Sequence, residues 1–296
     1  MPSEASVIAW LGAVEGDVRL VGGKAASLDR LARLGFEIPP GFVLTTVAFD
    51  RHLASLAGTA ESLAALPDES ARRALTAAFE TGALAAPVRR DLDAALVELV
   101  NRLAGQGIDS PRFAVRSSGI GEDSSAASFA GLHETELGVE AAGVEASVRR
   151  CWASLWSAPA IAYRQRRGLA LDGGGMAVVI QALVPADASA VAFTMHPVTG
   201  RTDQLVVTSV RGLGDAMVSG TVNPDTFVLD RPSLCVSEFT PGEGGSAARS
   251  LDDASLGELA RLAVEVERGC GSPVDIEAAR AGGRWYLVQA RPITTR

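Results

Sequence analysis

Twenty-seven residues of this chain are basic, and only one of them, Lys24, is a lysine. It stands directly after two glycines, in Val21-Gly22-Gly23-Lys24. An ammonium on a flexible stem is a compact charge with three donors, whereas a guanidinium is a rigid planar fork. A point charge beside backbone that can be approached closely suits a polyphosphate whose geometry changes during reaction. An ordinary surface lysine in a turn fits the same segment, and both readings stand on these four residues alone.

The second group with chemical potential lies near the C-terminal end. Val274-Asp275-Ile276-Glu277-Ala278 and Trp285-Tyr286-Leu287-Val288-Gln289-Ala290-Arg291 flank Ala281-Gly282-Gly283. Two strand-like runs around a glycine turn predict a β-hairpin. Strand residues two apart share a face, so Asp275 pairs with Glu277 and Gln289 with Arg291. If the hairpin closes around the glycines, the two pairs can face one another. Two carboxylates and an amide oxygen are hard ligands that suit Mg²⁺, which takes one or two carboxylates together with substrate phosphates. Arg291 could hold the phosphate that the metal bridges. A polar strand surface with ordinary salt bridges remains the alternative for the hairpin by itself.

A third candidate follows Phe113-Ala114-Val115-Arg116, a short predicted strand. Ser117 to Ser125 is a run of small and polar residues that could hold phosphate through backbone amides and hydroxyls, with Arg116 supplying fixed charge. It could equally be a flexible loop. The Gly-x-x-x-x-Gly-Lys-Ser/Thr and Gly-x-Gly-x-x-Gly fingerprints are absent, which argues against P-loop and Rossmann sites. His52 falls in a helical stretch and reads as structural, and His196 falls in a predicted turn. His133 could reach a phosphate. None has a Ser or Cys nucleophile partner in the pattern, and His-Glu-x-x-His does not occur. The three cysteines, Cys151, Cys235 and Cys270, are widely spaced and predict neither a disulfide framework nor a zinc site.

These groups need elements to hold them. Val7 to Leu11 reads as a strand, and the Val-Gly-Gly-Lys turn as the opening of a helix that Gly35 stops. Phe42 to Thr45 reads as extended. Residues 47 to 105 read as helices broken near Pro67 and Pro87, with no chemistry of their own. Glu134 to Val139 predicts a strand, and a helix carrying Trp152, Leu155 and Trp156 follows. The apolar run Ala177 to Gln181 predicts a buried strand. Further strands are expected at Val191 to Thr194, Gln204 to Val207 and Thr226 to Leu229, with a helix from about Ser255 to Gly269. The fold class expected is α+β, with subdomains at 1–175 and 176–296. A net charge of −8 argues against a general nucleic-acid binder. No apolar run is long enough to span a bilayer, and Met1 to Ala5 lacks the start of a signal peptide. The cytoplasm is the expected location, with no membrane and no nucleic-acid partner.

Taken together, the segments resemble the N-terminal nucleotide-binding domain shared by phosphoenolpyruvate synthase, pyruvate phosphate dikinase and rifampin phosphotransferase. The matching stretches are VGGKAASLDRLARLGFEIPPGFVLTT, FAVRSSGIGEDSSAASFAGLHET, VIQALVPADASAVAFTMHPVTG, GLGDAMVSGTVNPD and SPVDIEAARAGGRWYLVQARPIT, in family order from residue 21 to 294. The resemblance implies an ATP-grasp fold, with ATP between two α+β subdomains. It implies Lys24 and Arg116 as triphosphate ligands, and Gly131, Leu132, His133, Glu134 and Thr135 as the loop over the phosphates. Gln181, Ala182, Leu183 and Val184 become the strand whose backbone reads adenine. Asp275, Glu277 and Gln289 become the Mg²⁺ site, and Arg291 the catalytic phosphate clamp. The implied reaction is phosphoryl transfer from Mg·ATP to a histidine, with AMP as the nucleotide product and a small molecule as the final acceptor.

Two departures from the family pattern stand out. Asp215 occupies the place in Gly212-Leu213-Gly214-Asp215 where the family usually has glutamate, one methylene longer. The sequence also stops at Arg296, before any phosphohistidine segment. Either a separate histidine-domain protein is the partner, which is the expectation, or the chain is an excised domain of a longer enzyme; pyruvate or a natural product is the expected acceptor. A direct small-molecule kinase and a non-catalytic ATP-binding regulatory module are the alternatives.

Overall fold

The computed structural model describes residues 6–14, 17–56, 59–66, 68–120, 135–168, 175–242 and 249–293. Its contacts divide these into two units: one takes the residues up to Asp29 and those from Pro40 to Leu183, the other takes Arg30–Pro39 and everything from Val184 on.

In the first unit the elements run β1 (Ile8–Trp10), α1 (Val18–Arg33, its last turn belonging to the second unit), β2 (Gly41–Leu44), α2 (Thr46–Ser55), α3 (Thr59–Ala64), α4 (Glu69–Thr81), α5 (Ala86–Ala104), β3 (Phe113–Gly119), β4 (Thr135–Val139), α6 (Val144–Ala153), α7 (Ala158–Arg167) and β5 (Met176–Ala182). The strands form one antiparallel sheet in the order β1-β2-β5-β3-β4. Strand alternation sorts its two faces. Phe42 and Leu44, Phe113 and Val115, and Met176, Val178 and Ile180 enter a core with Phe49, Leu75, Phe79, Leu92, Leu99, Val148, Trp152 and Trp156 from the helices. The opposite face carries Ala114, Arg116 and Ser118 of β3 and Ala177, Val179 and Gln181 of β5, register partners of one another. The core face holds the sheet; the other face is where polar groups collect.

β5 was expected at the start of the C-terminal subdomain. It is instead the central strand of the first sheet, hydrogen-bonded to β2 on one side and β3 on the other. Its apolar run reflects that central place. β3 also runs further than expected. Ser117, Ser118 and Gly119 continue the ladder opposite Val178, Ala177 and Met176, so the first three small residues of the expected loop are strand. Both serines are fully buried.

His52 is structural, as expected. Its ring stacks on Trp152 at 5.3 Å and meets Phe79 edge-on, and its Nδ1 accepts from the Ala85 amide. Burial pushes its pKa down to about 4, helped by the nearby Arg149 charge and opposed by Glu145. The folded protein thus holds a neutral imidazole, while the unfolded chain takes up a proton below about pH 6.5. The stabilisation is fully present above that value and is lost as pH falls from there toward 4, by roughly 2 kcal/mol once solvent screening is allowed for. Urea melts between pH 7 and 4 should show this slope, and His52→Gln should flatten it; equal slopes in both proteins would exclude the imidazole as its source.

The second unit contains β6 (Ala188–Phe193), β7 (Gln204–Arg211), α8 (Asp215–Val218), β8 (Asp225–Asp230), β9 (Val236–Thr240), α9 (Asp253–Cys270), β10 (Val274–Ala281) and β11 (Arg284–Pro292). Its antiparallel sheet has the order β11-β10-β6-β7-β8-β9. α9 begins at an Asp252 cap, whose carboxylate accepts from the Ser255 amide. It packs Leu256, Leu259, Ala260, Ala263 and Val266 against Ala188, Ala190 and Ala192, Leu205 and Val207, Phe227 and Leu229, and Val274 and Ile276. The small alanines of β6 let the helix approach closely. Leu31 of α1 joins this core. Gly35, at φ +87°, ends α1 as expected, with the Phe36 amide returning to the Leu31 carbonyl.

No helix among the described residues is long and apolar enough to cross a membrane. All three cysteines are free.

Candidate functional site

In the first unit, α1 does not begin at the glycines; it starts at Val18 and is broken within by Gly22, at φ 73° and ψ 172°. That backbone region is open essentially to glycine alone. Glycine is needed there a second time. A Cβ on Gly22 would lie 2.0 Å from the Ser118 carbonyl oxygen and 2.5 Å from Ser118 Oγ. Strand β3 therefore presses against the break itself. Lys24, two residues on, donates from Nζ to the Ser117 carbonyl at 3.1 Å. Arg116, the preceding strand residue, is 8% exposed and stands opposite Thr135 on β4 and Val179 on β5. The structure thus brings Lys24, Arg116 and Thr135 to the same stretch of β3. Gln181, 2% exposed, lies further along the same sheet face. Gly131, Leu132, His133 and Glu134 lie outside the described residues.

After β5, the Ala182 amide donates to the Pro40 carbonyl and the Leu183 amide to the Arg112 carbonyl, both at 2.8 Å. The Val184 carbonyl accepts from Ala186.

In the second unit, the hairpin pairs Asp275 with Arg291 and Glu277 with Gln289. A strict count from the glycine turn does not give that register. Ala281 pairs with Arg284 and Ala278 with Leu287, so regular pairing would set Glu277 opposite Val288 and Ile276 opposite Gln289. The ladder instead shifts between Glu277 and Ala278, leaving Val288 as the extra residue. This bulge reverses the parity of β11. Trp285, Leu287 and Ala290 join the core under α9, while Gln289 and Arg291 join Asp275 and Glu277 on the other face. Arg291 Nε donates to both carboxylate oxygens of Asp275, at 2.9 and 2.7 Å. Asp275 and Gln289 are buried and Glu277 is half-buried. Across β10, Phe193 and Val191 of β6 stand opposite Asp275 and Glu277, giving the polar group an apolar flank.

Two carboxylates and an amide oxygen on one face fit a hard divalent cation that retains waters and phosphate ligands. The described residues contain no group of three or more His, Cys, Asp or Glu arranged for a metal, so any cation here relies on ligands besides carboxylates.

Three residues whose roles the sequence reading did not give hold the surrounding chain. Ser118 bonds to both sides of the break in α1, through the Val21 carbonyl at 2.8 Å and the Ala25 amide at 3.1 Å. Asp29, fully buried, accepts from the amides of Gly12 and Val14 and fixes the approach to α1. Asp225 accepts from the Gly242 amide and from the amide and hydroxyl of Ser250. Burial alone would raise the Asp225 pKa; these bonds more than offset it and leave the carboxyl below its usual value. The Asn223-Pro224-Asp225 turn sequence was the one available signal for this clasp. His196 is confined to its turn, accepting at Nδ1 from the amides of Val198 and Thr199. Asp215 is exposed in the first turn of α8.

Two antiparallel sheets with their own helical layers, one bearing a glycine-broken lysine helix and the other a carboxylate–arginine hairpin, make an α+β fold, and the family match gives it the ATP-grasp type. The profile of the family described as "Pyruvate phosphate dikinase, AMP/ATP-binding domain" matches residues 18–296; the chain belongs to that family. It is 34% identical, over 97% of its length, to the "Probable phosphoenolpyruvate synthase" of Methanocaldococcus jannaschii, of which it covers 27%. It is 35% identical over 94% of its length to the corresponding protein of Methanothermobacter thermautotrophicus, covering 44% of it. The "Rifampicin phosphotransferase" of Streptomyces sviceus is 35% identical over 95% of this chain, which covers 35% of that protein. The chain therefore spans between about a quarter and somewhat under half of these relatives. Among solved structures, D-alanine-D-alanine ligase from Helicobacter pylori aligns with a TM-score of 0.37 at 10% identity, over 91% of this chain and 53% of that one; the fold assignment rests on the family match.

Proposed function

We propose that this chain binds Mg·ATP and phosphorylates a histidine on a partner domain or protein, for onward transfer to a small molecule, with release of AMP. The observation that carries the reading is the bulged hairpin, which gathers Asp275, Glu277, Gln289 and Arg291 on one face within a chain of the AMP/ATP-binding family. The names of the relatives, phosphoenolpyruvate synthase and rifampicin phosphotransferase, support pyruvate or a natural product as the final acceptor.

Phosphoryl transfer of this kind needs little from the protein beyond positioning and charge neutralisation. Lys24 and Arg116 supply cationic charge to the triphosphate. Gln181 to Val184 hold the base through backbone groups, and residues 131–135 cover the phosphates. Asp275, Glu277 and Gln289 would hold Mg²⁺, which, when bound, neutralises phosphate oxygens and fixes their geometry. Arg291 then has two duties. It neutralises Asp275 in the structure described, and a guanidinium is the planar fork suited to gripping a phosphate in the proposed reaction.

The test uses purified chain, β-labelled ATP with Mg²⁺, and a histidine-domain protein from the same source. AMP formation with label on the second protein is the expected result. ADP as sole nucleotide product would replace the proposal with direct phosphorylation of an acceptor. Tight ATP binding with no turnover in the presence of a competent histidine domain would replace it with a regulatory module.

A further inference from the structure

We infer that Ser118 is a positioning residue for Lys24, acting as a hydroxyl inserted into helix α1 from strand β3. The inference rests on the proposed role of Lys24 as a triphosphate ligand, and adds to it the device that sets where the ammonium stands.

In an unbroken α-helix the amide of residue 25 would donate to the carbonyl of residue 21. Here both of those groups bond to one hydroxyl: Ser118 Oγ donates to the Val21 carbonyl at 2.8 Å and accepts from the Ala25 amide at 3.1 Å. Side chains that enter the helical ladder are a recognised cause of sharp kinks. Here the intruding residue comes from 93 residues away. The break it bridges is centred on Gly22, whose missing Cβ is what lets Ser118 approach. Lys24 lies inside the bridged turn, between the two groups that Ser118 holds. Its Nζ bonds to the carbonyl of the neighbouring strand residue, Ser117. Ser118 is fully buried, with both hydrogen bonds in place. It touches the main chain on either side of Lys24 and makes its contribution through it. Removing the hydroxyl leaves the Val21 carbonyl and Ala25 amide to find one another, which rotates the turn that carries Lys24.

A double-mutant cycle on the whole chain tests this, with Ser118→Ala, Lys24→Ala and the pair. Mg·ATP affinity is measured by calorimetry and folding by thermal melts. A second readout needs no nucleotide: the acylation rate of the Lys24 amine, which is the sole lysine side chain. We expect Ser118→Ala to weaken binding by about tenfold in the parent and by less than about twofold in the Lys24→Ala background, the size of one or two lost hydrogen bonds. The acylation rate should change several-fold. Should Ser118→Ala fail to fold, Ser118→Cys keeps the volume while weakening the hydrogen bonds, and the same pattern is expected at smaller amplitude. Equal losses in both backgrounds, or no loss in either, would overturn the inference. If the parent does not bind Mg·ATP, the proposed function falls first. The acylation rate then decides the positioning claim: an unchanged rate overturns it, and a changed rate sustains it.

Discussion

Arg291→Ala is expected to lower AMP formation about a thousandfold or more, the range reported for removing an arginine that stabilises a transferring phosphoryl group. The same change should cost stability. Arg291 Nε serves both oxygens of Asp275, whose side chain is only 11% exposed. Leaving that carboxylate without its guanidinium is worth about 1–3 kcal/mol, short of a fully buried pair because Arg291 itself is partly exposed. Arg291→Lys separates the two effects. It returns a positive charge beside Asp275 without the planar fork, so melting should recover more than turnover. Glu277→Ala should match the loss of turnover with little loss of fold, since Glu277 is half-buried and lies away from the core of α9. The decisive measurement is the rate of AMP release at saturating Mg·ATP with a histidine-domain partner present. Parent-like rates in both Arg291→Ala and Glu277→Ala would remove the hairpin from the mechanism.

Gly22→Ala should be the most damaging single methyl in the first unit. The added carbon would sit 2.0 Å from the Ser118 carbonyl oxygen, an atom of a strand residue paired with Ala177 of β5. The backbone at φ 73° and ψ 172° is also one that alanine does not tolerate. Either the helix break or strand β3 must move. A loss of about 3–5 kcal/mol is expected from strain and overpacking together. Gly35→Ala is the control. Its φ is +87°, yet a Cβ there meets nothing within 4 Å, so only the conformational cost of about 1 kcal/mol remains. Denaturant melts of the two variants should differ severalfold in their shift. Equal shifts would mean that the close approach of β3 contributes nothing.

Much of this was legible in the chain. The alternation of Asp275 with Glu277 and of Gln289 with Arg291 marked the hairpin and its shared faces. Gly35 marked the end of α1, and the aromatic spacing around Trp152 marked a buried helix. What escaped depends on contacts between distant residues. Small polar residues such as Ser117 and Ser118 look like loop because nothing local shows that α1 supplies partners for a buried hydroxyl. β5 looked like the start of a new subdomain because sequence order places it beside β6, whereas its hydrogen bonds go back to β2 and β3. The start of α1 was misplaced because two glycines read as a beginning, when one of them is an interruption. Strand β9 and helix α7 went unread, being short or without clear periodicity. Thr135 was found opposite Arg116, but nothing in spacing alone could have paired them.

The bulge at Val288 has a consequence for anyone transplanting this hairpin. A designer who copied Asp275, Glu277, Gln289 and Arg291 onto an idealised two-stranded scaffold, keeping the two-glycine turn and strict alternation, would keep every side chain of interest. Two of the four would then face the hydrophobic layer. Val288 carries no charge and binds nothing in the proposal, yet a graft that keeps it in regular pairing carries the residues and loses the site; an unbulged graft has to leave it out for Glu277 to meet Gln289.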